Sequence, residues 1–186
     1  MLLNMKHSGD EIHIKGSKIH YVALILFVVG GLLSSIYLIL EGLTFSSTFS
    51  LLWLVGGMIF LPIFSYLFIW FSPGLIPAKT IVSLVPGPSG YIQTKKGNVS
   101  FKNIQGAELR RNGFTLVNSL VITTHDHKQY RVPAYGLIGE NDVNVLVDQY
   151  IYPHMIESAK EAWNTKIDLD KLYEDTKYKR KDNIYM

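Results

Sequence analysis

Between Tyr21 and Phe71 two runs carry no charged residue, Tyr21 to Leu40 and Thr44 to Phe71, parted by Glu41 and a short polar turn. A helix rises about 1.5 Å per residue and needs roughly 20 apolar residues to cross ~30 Å of hydrocarbon. Residues 21–40 and 51–71 each supply that length. The pattern therefore predicts a transmembrane hairpin rather than a core helix, which stops sooner and keeps a polar face.

Small residues recur inside both runs. Gly30 and Gly31 stand four positions before Ser34 and Ser35, and Gly56 and Gly57 lie at a matching depth in the second run when the helices run antiparallel. Such spacing lets helix backbones approach closely, either within the hairpin or between two copies of the chain. Trp53 and Trp70 bracket the second run as interfacial anchors, and Pro62 loosens one turn of its backbone ladder. Neither run contains Asp, Glu, Lys, Arg or His. Proton relays and ion paths need such groups, so the hairpin reads as an anchor rather than a transporter. A pore of several hairpins would have only Ser34, Ser35 and Ser65 to line it.

After Ser72-Pro73-Gly74 and Pro77 the period changes to two. Ile81 to Val85 is β-branched and apolar; Pro86-Gly87-Pro88-Ser89-Gly90 is a turn; Tyr91 to Thr94 resumes an extended run up to Lys95-Lys96-Gly97. Val99 and Phe101 alternate, as do Ala107 and Leu109 against Glu108 and Arg110, and Arg111-Asn112-Gly113 marks a hairpin turn. Thr115 to Thr124 reads as the longest strand, with Leu116, Asn118, Leu120 and Ile122 on one face. His125 to Lys128 then turns into Gln129 to Val132. Beyond Pro133 the pattern is helical: Asn141 or Asp142 caps a stripe of Val143, Leu146, Val147, Tyr150, Ile151 and Met155, continued by Ile156, Ala159, Ala162 and Trp163 past a kink or break at Pro153. Lys166 to Met186 interleaves acids and bases, ends in Lys177, Lys179, Arg180 and Lys181, and reads as a loosely ordered tail. Before the hairpin, Ile12, Ile14 and Ile19 alternate against Glu11, His13 and Lys15, as in a short strand or interfacial segment. So brief a pattern suits a short tail.

About six short antiparallel strands followed by one amphipathic helix is the order of a pleckstrin-homology-like (PH-like) sandwich or barrel. With Tyr91-Ile92-Gln93-Thr94 before a Gly turn, Val99 to Ile104 after it, the pair Leu116 to Thr124 and Gln129 to Val132, and the closing stretch Val143 to Trp163, the chain resembles small bacterial two-span membrane proteins with a cytoplasmic PH-like domain, many of them in families of unknown function. The resemblance covers Tyr21 to about Trp163. It implies an α+β membrane protein in which a C-terminal helix closes an antiparallel β-sandwich or barrel. The expected organisation is a cytoplasmic N-terminal segment (1–20), the hairpin (21–71), a linker (72–78), the PH-like domain (79–164) and a charged C-terminal tail (165–186).

Charge sets the expected orientation. Lys6, Lys15 and Lys18 precede the first run, Lys79, Lys95 and Lys96 follow the second, and Glu41 to Ser50 holds neither Lys nor Arg. By the positive-inside rule both termini are cytoplasmic, in a multi-pass protein of the cell membrane. A secretory signal fits less well, because the first run exceeds a usual h-region and no clear small-x-small site precedes Glu41. A formal net charge of +3 over 186 residues is too mild for a nucleic-acid partner.

The chain has no cysteine, which excludes disulfides, thiolate nucleophiles and Cys-based metal centres. His125 and His127 flank Asp126 but lack a third ligand and sit at a hairpin tip. Ser89 lies outside any G-x-S-x-G elbow. Asp168, Asp170, Glu174 and Asp175 lack the spacing of a calcium loop, and no Walker or Rossmann loop occurs. No catalytic residue, metal or cofactor is expected. What remains is Lys95 and Lys96 at one loop, Lys102 nearby, and Arg110 and Arg111 at another. If those loops share one end, they form a basic mouth for the anionic inner leaflet. The function expected is a non-enzymatic, membrane-anchored module that binds a protein partner or an anionic head group. The alternatives are an accessory subunit of a membrane enzyme and an oligomeric small membrane protein.

Overall fold

The computed structural model describes residues 4–180. Its strands are β1 Asn4–Ser8, β2 Glu11–Lys15, β3 Thr80–Val85, β4 Tyr91–Thr94, β5 Gly97–Ser100, β6 Ile104–Arg111, β7 Asn118–Thr124 and β8 Gln129–Pro133. Its helices are α1 Lys18–Leu43, α2 Ser50–Phe71, α3 Glu140–Leu146, α4 Glu157–Lys166 and α5 Leu169–Thr176. The chain divides into two units: Lys18–Pro77, and a second that joins the residues up to Ser17 with those from Ala78 onward. The architecture is α+β.

In the first unit α1 and α2 form an antiparallel pair, and α1 starts earlier than the apolar run because Lys18, Ile19 and His20 continue the helix. Both are long and apolar enough to cross a bilayer, and only 11% of each apolar window is buried by the protein itself. Water would tolerate so much uncovered apolar surface poorly. The seam is built on small residues, but only half of those picked out by spacing lie in it. A methyl group on Gly57 would meet Ile39 at 2.7 Å and the Ser35 carbonyl at 2.9 Å, and one on Gly31 would run into the Phe64 ring. Ser35 is buried and donates to the Gly31 carbonyl at 2.7 Å. Gly30 and Gly56 would meet nothing, and Ser34 is exposed. Gly42, which the spacing did not single out, also lies in the seam, where an added methyl group would meet the Leu54 backbone nitrogen at 2.6 Å.

The second unit is built from two antiparallel sheets, of order β1-β2-β3-β4-β5 and β6-β7-β8. The N-terminal segment is therefore not a tail. It is a hairpin whose second strand pairs with β3 through Ile12↔Leu84 and Ile14↔Val82, and those four side chains are buried. The period-2 signal was short because only one hairpin arm carries it: β1 is largely exposed. Chain passage between the sheets occurs at Phe101–Asn103, a 3₁₀ turn rather than the strand that the Val99/Phe101 alternation suggested, with Phe101 fully buried.

The β6–β7 connection spans residues 112–117, so Leu116 lies in the loop rather than on the strand, at φ +59°. In β7, Leu120, Val121 and Ile122 are all buried, which hides the expected alternation. α3 and α4 both pack against β6, contributing Val143, Leu146, Ala159 and Trp163 to the core. The helical stretch after β8 is divided as Pro153 predicts: α3 runs into a π-helical turn, Val147–Ile151, and a 3₁₀ turn, Tyr152–His154, before α4. Its cap is Gly139, two or three residues earlier than the expected Asn141 or Asp142, with the Asp142 carboxylate accepting from the Gly139 N–H at 3.2 Å.

Substitution at the hairpin seam separates the two kinds of glycine. Gly57→Ala forces the helices apart and costs on the order of 1–3 kcal/mol, whereas Gly56→Ala leaves stability unchanged or slightly raised through helix propensity. Thermal unfolding of the detergent-solubilised chain, followed by circular dichroism, reads the difference.

Candidate functional site

The second unit holds a basic cleft of about 360 Å³ where β8 meets β3 and β4. Lys79, Lys95 and Arg131 line it together with Ser83, Gln93 and Tyr135, and no Asp or Glu is among the described lining residues. Each cation arrives from a different element. Lys79 immediately precedes β3, Lys95 sits in the β4–β5 turn and Arg131 on β8. The Lys79 ammonium lies 4.4 Å from the centre of the Tyr135 ring, a cation–π contact. Burial, and then the like charge of Lys95, hold it below its ordinary value near 10.5. Burial likewise pushes the Tyr135 phenol up.

Two non-glycine residues beside the cleft, Ala78 at φ +55° and Tyr135 at φ +52°, occupy the left-handed region. Such conformations cost on the order of 1–3 kcal/mol each and persist where surrounding contacts enforce them. Here the Tyr135 N–H and the Ala134 N–H both donate to the Asn118 carbonyl, at 3.3 and 2.7 Å.

Ser83 and Gln93 also belong to a polar row across the outer face of the first sheet. His13 Nδ1 and Ser83 Oγ are 2.9 Å apart, Gln93 Nε2 donates to Glu11 Oε1 at 2.9 Å, and Glu11 Oε2 lies 3.6 Å from His13 Nε2. The row follows directly from register, since Ser83 stands between His13 on β2 and Gln93 on β4.

The five basic residues picked out from the sequence are dispersed among different contacts. Lys95 lines the cleft. Lys96 occupies the same turn, its N–H directed at Thr94 Oγ1 at 3.3 Å. Lys102 lies in the 3₁₀ turn, where it and Lys160 add to burial in holding His154 below its ordinary value near 6.5. Arg110 pairs with Glu108, which also takes Lys166 at 3.0 Å. Arg111 donates through Nε to the Leu116 carbonyl at 3.2 Å. Register nonetheless places Arg110 level with Ser119 and with Pro133, a residue lining the cleft. Lys79 and Arg131 could not be paired from sequence spacing because nothing local announces that β8 packs against β3 and β4.

The other motifs have structural uses. His125 and His127 occupy the β7–β8 turn, where Asp126 accepts from Thr124 Oγ1 at 2.5 Å and pairs with Lys128 at 2.7 Å. Those two contacts hold the Asp126 carboxyl at about 2. Asp168 caps α5 by accepting from the Lys171 N–H at 3.0 Å, and Asp175 accepts from Asn141 at 3.0 Å. No group of three metal-ligating side chains occurs among the described residues.

The C-terminal stretch, expected to be loose, is fastened; Lys181 and the residues after it lie outside those described. Asp148, fully buried in the π-helical turn, accepts from Trp163 Nε1 and Tyr178 OH, each at 3.0 Å, and pairs with the Arg180 guanidinium. Arg180 also stacks 4.1 Å over the Tyr152 ring and donates to Asn164 at 2.8 Å. Burial and the Asp148 charge push the Tyr178 phenol well above its ordinary value.

The family described as "Family of unknown function (DUF5381)" matches residues 10–173. The chain belongs to this family. It is 33% identical over 136 residues to a Bacillus subtilis (strain 168) protein named uncharacterized lipoprotein YfjD, covering 70% of this chain and 74% of that one. It is 28% identical over 128 residues to uncharacterized protein YfjE of the same organism, covering 66% of this chain and 84% of that one. No solved structure matches it significantly. The family match begins in the N-terminal hairpin and ends in α5, so it takes in both units.

Removing Arg180 leaves a buried carboxylate without its countercharge, a change that typically costs about 3–5 kcal/mol. Arg180→Ala is therefore strongly destabilising in chemical denaturation of the full chain. The double variant Asp148→Asn/Arg180→Ala recovers part of the loss, because no uncompensated charge remains.

Proposed function

We propose that this chain is a non-enzymatic, two-span membrane protein whose PH-like domain holds an anionic lipid head group at the cytoplasmic face of the cell membrane. The observation that carries the reading is the cleft: three cations from three elements, with hydroxyl and amide donors beside them and no carboxylate among the described lining residues. Phosphate and carboxylate head groups need this chemistry. Only residues 72–78 lie between Phe71, the end of α2, and Lys79, so a short stretch of chain tethers the cleft to any bilayer that α2 spans.

Connectivity supports the topology. Strand β2 precedes α1, its partner β3 follows α2, and the two lie side by side in one sheet. That pairing agrees with a chain that crosses the bilayer an even number of times between them, with the Lys-free Glu41–Ser50 turn on the outer side. A relative named as a lipoprotein agrees with life at a membrane. Two antiparallel sheets followed by helices support the PH-like assignment. A non-enzymatic role is favoured by the setting of Ser83. It pairs with His13, but it lies mid-ladder between β2 and β4, where backbone N–H groups serve the sheet rather than an oxyanion.

Each charge near an anionic surface contributes about 1 kcal/mol, so Lys95→Ala with Arg131→Ala weakens binding of short-chain phosphatidylglycerol roughly 30-fold. Native mass spectrometry of the full chain in detergent measures it. Equal binding by the variant, or no preference for phosphatidylglycerol over phosphatidylcholine, refutes the head-group assignment and turns attention to a protein partner. Topology is checked separately in the cysteine-free chain. A maleimide added to intact cells labels Ser46→Cys, and labels Asn98→Cys only after permeabilisation.

A further inference from the structure

The polar row on the first sheet reaches into the basic cleft through one hydroxyl. Ser83 lines the cleft and stands level with His13 in the β2–β3 ladder, with His13 Nδ1 lying 2.9 Å from Ser83 Oγ. A bond between these two atoms holds one hydrogen, and the state of the imidazole decides which of them donates it. Glu11 Oε2 lies 3.6 Å from the other ring nitrogen, Nε2, and its negative charge favours a hydrogen there. Neutral His13 then presents a bare Nδ1, to which the Ser83 hydroxyl donates. In that state Ser83 offers the cleft only oxygen lone pairs, which repel an anion.

Protonation reverses the bond. An imidazolium carries hydrogen on both nitrogens, so Nδ1–H donates to Ser83 Oγ and the hydroxyl hydrogen of Ser83 turns toward the cleft, where it can meet a phosphate oxygen. Gln93, the neighbouring donor in the cleft, is less available, since its Nε2 already donates to Glu11 Oε1 at 2.9 Å. The charged and titratable groups around His13 come from four strands and their flanks. Glu11 and Lys15 share its face of β2, and Lys6 stands opposite it on β1. Tyr91 and Gln93 lie on β4 beyond Ser83, and Lys79, Lys95, Arg131 and Tyr135 line the cleft itself. Of these side-chain types, imidazole is the one that ordinarily changes charge between about pH 5.5 and 8.

We infer that His13 is a positioning residue for the proposed head-group site: protonated, it turns the Ser83 hydroxyl toward the phosphate, so that head-group binding and proton uptake by His13 favour each other. The inference rests on the cleft reading and adds its regulation. The negative charge of the phosphate favours the same proton, so affinity rises as pH falls.

Isothermal titration calorimetry of the full chain in non-ionic detergent, with short-chain phosphatidylglycerol as the probe, tests it. A phosphodiester has no second ionisation, so the lipid itself stays singly charged throughout. Affinity rises on the order of tenfold from about pH 8 to about pH 5.5, the gain of one hydrogen bond to a charged group. Titrations in two buffers of different ionisation enthalpy show net proton uptake on binding. His13→Asn, whose amide stands in for Nδ1 but takes up no proton, binds with an affinity that no longer follows pH. Ser83→Ala keeps the imidazole but removes the hydroxyl, and most of the pH dependence goes with it. Proton uptake is read on the unsubstituted chain, so the test holds even where a variant fails to fold. Binding without proton uptake overturns the inference and leaves the cleft reading standing, as does a pH dependence unchanged in His13→Asn or in Ser83→Ala. Absence of binding at both ends of the range overturns the cleft reading, and this inference falls with it.

Discussion

The pairing of β2 with β3 is the constraint on which the rest of this structure depends. Residues 12 and 84 are neighbours across a ladder, although the whole α1–α2 hairpin lies between them in sequence. Bringing such distant segments together carries a loop-closure cost that grows only slowly with length. A stiff antiparallel helix pair meets it well, because it returns the chain to the side where it began. Buried Ile12, Ile14, Val82 and Leu84 then hold the ladder from its inner face. The helical hairpin is thus inserted within a β-domain, between two of its paired strands, as well as being long enough to anchor it.

That arrangement gives the polar face of the first sheet its composition. His13 and Glu11 come from one side of the helical insertion, Ser83 and Gln93 from the other, and they hydrogen-bond only because the ladder sets them opposite each other. The cleft has the same origin one layer further on. Lys79 immediately precedes β3, and β8 brings Arg131 to the same cleft from the second sheet. Burial, and then the like charge of Lys95, depress the affinity of Lys79 for its proton there. Asp148, elsewhere in the unit, works by the reverse logic. A buried carboxylate is tolerable because Trp163, Tyr178 and Arg180 close around it, and their closure orders a highly charged stretch that has little apolar surface of its own.

Features that depend on local chemistry were legible along the chain. Two uncharged runs of about 20 residues suffice to specify helices of bilayer length, since apolarity and helical rise are properties of the segment alone. Tyr91–Thr94 matched its strand because the flanking Gly turns bound it on both sides, and Pro153 divides its helix because a missing N–H breaks the ladder wherever it occurs.

Features that depend on which segments meet became visible only in the folded chain. Helix spacing marked Gly30, Gly31, Ser34, Ser35, Gly56 and Gly57 alike, yet only the rotation of α1 against α2 selects Gly31, Ser35 and Gly57 for the seam and adds Gly42. The alternation in residues 11–15 was visible, but its membership in the sheet required a partner some 70 positions away. The five cations noted in the sequence were grouped by loop proximity, whereas the cleft keeps Lys95 and recruits Lys79 and Arg131, because register and sheet packing bring together residues that no local pattern connects.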